Sequence, residues 1–246
     1  MNMEQIIYRI TLFLTGVYLL MLAGHTWLNS HSFSNYVTYY RTRLLSVVWF
    51  ATFGLGILLH AVFQWRYTWP TAASALTVSY FHIGAICFSW GYTPLLTPSY
   101  LTQRIVVRDL SFYAVGLIVY WTVALVWHHA PLLTLCSFCL FFAYAAMVAT
   151  KFYRTYNLVS SRMMKISIGT VKEFVKWMQV CCDYIVLFGI SSVAITALFP
   201  TDAWPYTVLL LAGAGMFSFI AYSLHQYGKV VERATKATNE VTKEIH

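Results

Sequence analysis

Seven stretches of mostly apolar residues, at about 6–28, 43–65, 71–95, 110–128, 131–152, 180–200 and 204–226, leave this chain one class of fold. Crossing about 30 Å of hydrocarbon at about 1.5 Å per residue takes roughly 20 residues of helix. A membrane strand needs about ten with strict alternation, and these runs are too long and too uniformly apolar for that. Lipid offers backbone N–H and C=O groups no partners, so helices remain. The expected fold is an all-α integral membrane protein. A seven-helix transmembrane bundle fills 1–228, and a helical or coiled-coil extension of the last span fills 229–246. Hydrophobic residues make up 59% of the chain and charged residues 10%, which excludes an ordinary soluble domain.

Proline placement agrees with these spans. Pro70, Pro94, Pro98, Pro131, Pro200 and Pro205 fall at or near span ends, where a helix starts or stops without losing internal hydrogen bonds.

The basic residues orient the bundle. Arg41, Arg43, Arg104, Arg108, Lys151, Arg154, Arg162, Lys165, Lys172, Lys176, Lys229, Arg233, Lys236 and Lys243 all flank spans on one side. Only Arg9 and Arg66 lie toward the other. Cytoplasmic loops retain Lys and Arg, so the C-terminus is expected inside and the short N-terminus outside, as in a bacterial inner membrane. The net charge of +8 then reflects topology and attraction to lipid headgroups, with no nucleic-acid partner. The first run lacks a small-residue cleavage pattern and reads as a span, not as a cleaved leader.

Two segments on the basic side carry structure of their own. Thr170 and Glu173 match a capping box, followed by an amphipathic turn with Val171, Phe174, Val175 and Met178 on one face. After the seventh span, Leu224, Tyr227, Val231, Ala234, Thr238, Val241 and Ile245 recur at steps of three and four. That is a heptad seam ringed by Lys229, Glu232, Arg233, Lys236, Glu240, Lys243 and Glu244. It predicts either a parallel coiled coil joining a homodimer or an isolated amphipathic tail. A continuous seventh helix over about 206–245 would be roughly 60 Å long, twice the hydrocarbon thickness. No Gly or Asn cap closes it, so a longer parent chain is expected.

Ionisable groups within spans are functional suspects, because lipid burial costs several kcal/mol. His82, near the middle of the third span, shares a helical face with Ser79, Ile86 and Ser89. Tyr80, Trp90, Tyr120 and Trp121 lie deep enough to line a cavity with it for a small or lipophilic ligand. The ordinary role of the aromatic residues is packing, and that of His82 an interhelical hydrogen bond. Asp183 reads as an anchor near Lys176. His60, His128 and His129 share a depth from which a metal site is conceivable, though no ligand spacing supports one. His25 and His225 lie near the inner face, where haem ligation would require facing positions. Cys136 and Cys139 form a C-x-x-C that a thiol-redox site would use, without the second outward pair such a relay needs; Cys181 and Cys182 lie at the opposite face.

Several activities lose support. The seventh span has no Lys for a retinal Schiff base, and neither Asp-Arg-Tyr nor Asn-Pro-x-x-Tyr occurs at the receptor positions. Gly-rich phosphate loops, H-E-x-x-H and G-x-S-x-G are absent, so no catalytic residue and no cofactor is expected. In layout, though not in motif, the chain is similar to multi-pass sensor kinases. The leading expectation is therefore a non-enzymatic sensory input module that passes a ligand or bilayer signal through the last helix. A small-solute transporter or channel using His82 and Asp183 is the alternative, and a membrane thiol-redox or cofactor-binding protein using Cys136 and Cys139 the second.

Overall fold

The computed structural model describes residues 3–30, 33–127, 131–166, 171–199 and 202–245, without the side chains of 131, 135, 163–166, 171–174, 197 and 234–245. The order is α1 (Met3–Leu28), α2 (Val37–Phe63), α3 (Trp65–Thr68), α4 (Pro70–Leu96), a 3-10 turn (Pro98–Tyr100), α5 (Gln103–Val126), α6 (Pro131–Ser137), α7 (Cys139–Ile166), α8 (Val171–Leu198) and α9 (Ala203–Ile245). Among the described residues, seven helical stretches are long and apolar enough to cross a membrane: α1, α2, α4, α5, the α6–α7 pair, α8 and α9. The chain is a multi-pass membrane bundle.

The helices overrun the apolar runs at the basic end. α2 starts at Val37, α5 at Gln103 and α8 at Val171, while α7 continues to Ile166. Hydropathy marks the thickness of hydrocarbon, whereas backbone hydrogen bonding continues through amphipathic flanks beyond it. Within the fifth span, a turn at Phe138 separates α6 from α7, which uniform hydropathy conceals. Thr170 of the expected capping box lies outside the described residues, as do the side chains of the heptad seam from Ala234 onward.

α2 and α4 form the centre. α1 packs on α2 and α9, α5 on α4, and α8 between α7 and α9. Small residues permit the closest approach: a Cβ on Gly54 would stand 2.9 Å from the Gly16 carbonyl oxygen of α1. Backbone against backbone cannot yield, as expected where dispersion, and not water exclusion, holds helices together. Gly54→Leu should therefore lower stability by about 1–3 kcal/mol in detergent titration. Gly215→Leu is its control, since a Cβ there meets nothing within 4 Å. Equal stability of the two variants would refute the close α1–α2 contact.

An aromatic knot holds α2, α4 and α9. The Trp49 ring lies 5.4 Å from Phe217, 6.4 Å from Phe53 and Tyr92, and 6.5 Å from Phe88, all edge-on. Edge-on geometry sets positive ring edges against negative faces. Apolar side chains such as Ile10, Phe13 and Leu14 of α1 and Leu110, Ile118 and Leu125 of α5 remain outward, as a lipid-facing surface requires.

Arg43 corrects one expectation. It is no headgroup-facing charge: only 2% of its surface is exposed. Its guanidinium donates to Tyr39 Oη (3.1 Å), the Thr26 carbonyl (3.0 Å) and Ser30 Oγ (3.3 Å). Tyr39 in turn donates to the Leu224 carbonyl at 2.7 Å, and Gly228 leaves no room for a Cβ beside that phenol. This latch grips α9 at the basic end. From there the helix continues to Ile245, making 43 residues or about 65 Å in all.

Candidate functional site

At the end of the bundle opposite the basic one, α2 stops at Gln64, which adopts φ 51°, ψ 33° and donates its N–H to the His60 carbonyl at 3.0 Å. This left-handed residue turns the chain into α3 and swings Arg66 back against α1 and α9. Arg66 Nε donates to Tyr8 Oη at 3.0 Å, and the guanidinium carbon sits 3.3 Å from the centre of the Tyr206 ring. Among the described residues the one ion pair joins Arg108 to Asp109, so Arg66 has no carboxylate partner there.

Arg66 borders a cavity of ≈ 50 Å³ between α1, α2, α4, α8 and α9. His60, Thr77, Tyr80 and Ser192 share its wall; deeper in, Leu12, Ile57 and Phe217 make it apolar. His60 Nε2 lies 3.1 Å from Thr77 Oγ1, and its Nδ1 is buried without a hydrogen-bond partner. Phe53, Phe81 and Phe188 also line a second cavity of ≈ 260 Å³, walled almost wholly by apolar side chains of α2, α4, α7 and α8. α9 contributes Tyr206, Gly213, Ala214 and Phe217 to the first space and Met216 to the second. A polar, cationic pocket thus adjoins a larger dry one.

Of the residues expected to line a cavity together, Tyr80 alone does so here. His82 is fully buried in a cage of rings, with Tyr144 at 4.6 Å, Tyr113 at 5.3 Å and Phe141 at 5.9 Å. Tyr120 Oη lies 3.4 Å from His82 Nδ1, while Nε2 has no partner. Gly116 makes the contact possible, since a Cβ there would stand 2.8 Å from the Tyr120 oxygen. Ser79 bonds back to the Ala75 carbonyl, Ser89 pairs with Tyr100 at 3.0 Å, and Trp121 packs edge-on against Trp65. Ser89 thus fastens α4 to the 3-10 turn and Trp121 fastens α5 to α3, while the Ser79 bond stays within α4.

Trp90 leads to a group the sequence reading passed over. Its indole N–H donates to Asp109 Oδ2 at 2.8 Å. Arg108 holds Oδ1 through Nε at 2.9 Å and Nη2 at 2.8 Å. Asp109 is wholly buried, and it shares one face of α5 with Tyr113, Gly116 and Tyr120. A carboxylate on the inward face of a span was the available signal.

The remaining candidates separate. Asp183 accepts from the Tyr153 hydroxyl of α7, and no Lys176 ion pair forms among the described residues. His60 is engaged by Thr77, while His128 and His129 lie outside the described residues. Cys136 and Cys139 are free and exposed on either side of the Phe138 turn; Cys181 and Cys182 are free and buried. His25 and His225 line one cavity of ≈ 210 Å³ with Arg43, and His25 Nε2 lies 3.2 Å from the Asn29 amide. No protein-family model, curated protein or solved structure matches this chain.

Proposed function

We propose that the chain is the sensory input module of a bacterial-type signalling protein, with its N-terminus outside and α9 leading into the cytoplasm. Its input is a small or lipophilic molecule in the Arg66 cavity. One observation carries this reading: the helix that walls the cavity with Tyr206 and Phe217 is the helix that continues to Ile245. A ligand that moves Phe217 must move α9 or break the aromatic knot. The Tyr39–Leu224 bond then sets where the displacement leaves the bundle, and a homodimer would convert it into a new register of the heptad seam.

The energetic demand is modest. A ligand shifts a two-state helix only by its differential affinity, and a hundredfold preference supplies about 2.7 kcal/mol. Tyr80 belongs to the ligand wall in this scheme. His82, Trp90 and Tyr120 tie α4 to α5 and α7 around it, while Ser79, Ser89 and Trp121 brace α4, the 3-10 turn and α3.

Nitroxides at Lys229→Cys, on a Cys136→Ser, Cys139→Ser background, test the proposal in nanodiscs. The distance between the two copies should change by several ångströms when extracted membrane lipid is added, and removal of 230–246 should leave ligand binding intact. Saturable solute uptake by proteoliposomes, unaffected by that removal, would instead establish a transporter.

A further inference from the structure

We infer that the Arg66 cavity binds a single-chain aliphatic carboxylate, its head on Arg66 and its chain parting the rings of Phe53, Phe81 and Phe188, which pack at 5.1 Å and 5.4 Å between the two cavities, to enter the apolar space beyond. The inference rests on the reading above that this cavity is the ligand site, and it adds the ligand's chemistry.

Three observations select that class. Arg66 carries a charge that no described carboxylate neutralises. Tyr8 uses Nε and Tyr206 covers one face, while the two terminal nitrogens make no hydrogen bond among the described residues. That leaves open the planar edge a carboxylate engages through two parallel bonds. His60, with its buried and unpartnered Nδ1, and the Thr77 and Ser192 side chains line the same small space.

Size then discriminates among anions. A volume of ≈ 50 Å³ holds one or two waters at about 30 Å³ each, which suits a carboxylate group but not a phosphoglycerol head. The adjoining ≈ 260 Å³ has one apolar wall set and takes one chain, where a diacyl lipid brings two. An uncharged sterol or alcohol would fill the dry space and leave the cation bare, a costly arrangement beside lipid.

Radiolabelled decanoate binding to the full chain in phosphatidylcholine nanodiscs, with empty discs subtracted, tests this. Decanoate should saturate, and Arg66→Met should weaken it at least tenfold, as loss of a charged hydrogen-bonded pair implies. Decanol should compete at least tenfold less well than decanoate. Gly189→Leu guards against a folding artefact in the arginine variant, because a Cβ there meets nothing within 4 Å and Gly189 lines the dry space. It should weaken dodecanoate at least tenfold while leaving hexanoate unchanged.

Equal competition by decanol, or tighter binding of decyl phosphate, overturns the carboxylate assignment. So does a failure of decanoate to saturate. If decanoate saturates yet leaves the Lys229→Cys distance unchanged, the ligand assignment stands and the signalling reading falls. If the distance responds to membrane lipid but not to decanoate, the signalling reading stands and the carboxylate falls.

Discussion

Trp49→Ala is expected to lower the stability of the bundle by about 3–5 kcal/mol, the loss typical of truncating a buried large aromatic. The ring is 2% exposed and fills the junction of α2, α4 and α9, touching Phe53, Phe88, Tyr92 and Phe217. In lipid the loss is one of packing, since water exclusion no longer drives helix association. The void would join the apolar cavity, which Trp49 already lines. Trp49→Phe separates packing from polarity. The indole N–H is buried without a hydrogen-bond partner, so phenylalanine removes an unsatisfied donor along with some volume. It should cost no more than about 1.5 kcal/mol. Equilibrium titration with dodecyl sulfate in mixed micelles measures both. An alanine variant within about 1 kcal/mol of the parent would refute the junction, because no well-packed aromatic is lost so cheaply.

The sequence made the helices legible and left the contacts between them mostly dark. Span number and the segregation of basic residues follow from hydropathy and charge, which act through one variable, depth in the membrane. Which face of a helix meets which neighbour depends on packing and is not encoded in depth. A glycine such as Gly54 within a span signals that some helix can come close; nothing in the pattern says that its partner is Gly16. Arg43 and Arg66 were counted as two charges on opposite sides of a bilayer. In the fold one becomes a buried latch on α9 and the other a cation at a cavity mouth. The face of Ser79, His82, Ile86 and Ser89 is buried, as a polar stripe within a span predicts, yet His82 packs against rings. The cavity instead assembles from residues as distant as Tyr8, Arg66, Ser192 and Tyr206, none of them close in sequence.

Asp109→Ala is expected to cost about 2–3 kcal/mol, because it removes charged hydrogen bonds and leaves the Trp90 indole N–H without its acceptor, while the part-exposed Arg108 turns to water and headgroups. Three bonds to the carboxylate vanish, and the Trp90 indole N–H and the Arg108 fork lose their acceptor. Asp109→Asn keeps one oxygen and should cost roughly half as much, since a neutral acceptor serves Trp90 but answers the guanidinium poorly. Arg108→Met should also destabilise: Asp109 is wholly buried and would keep its charge with a single indole donor. The double variant Arg108→Met, Asp109→Ala discriminates among accounts of the pair. If the two side chains act as a unit, removing both should cost less than the sum of the single losses by at least about 1 kcal/mol. Simple additivity would mean that Arg108, 37% exposed at its side chain, is held by water and headgroups and contributes nothing through Asp109. The carboxylate would then serve Trp90 alone, and Asp109 would tie α5 to α4 through one indole hydrogen bond in place of a charged network.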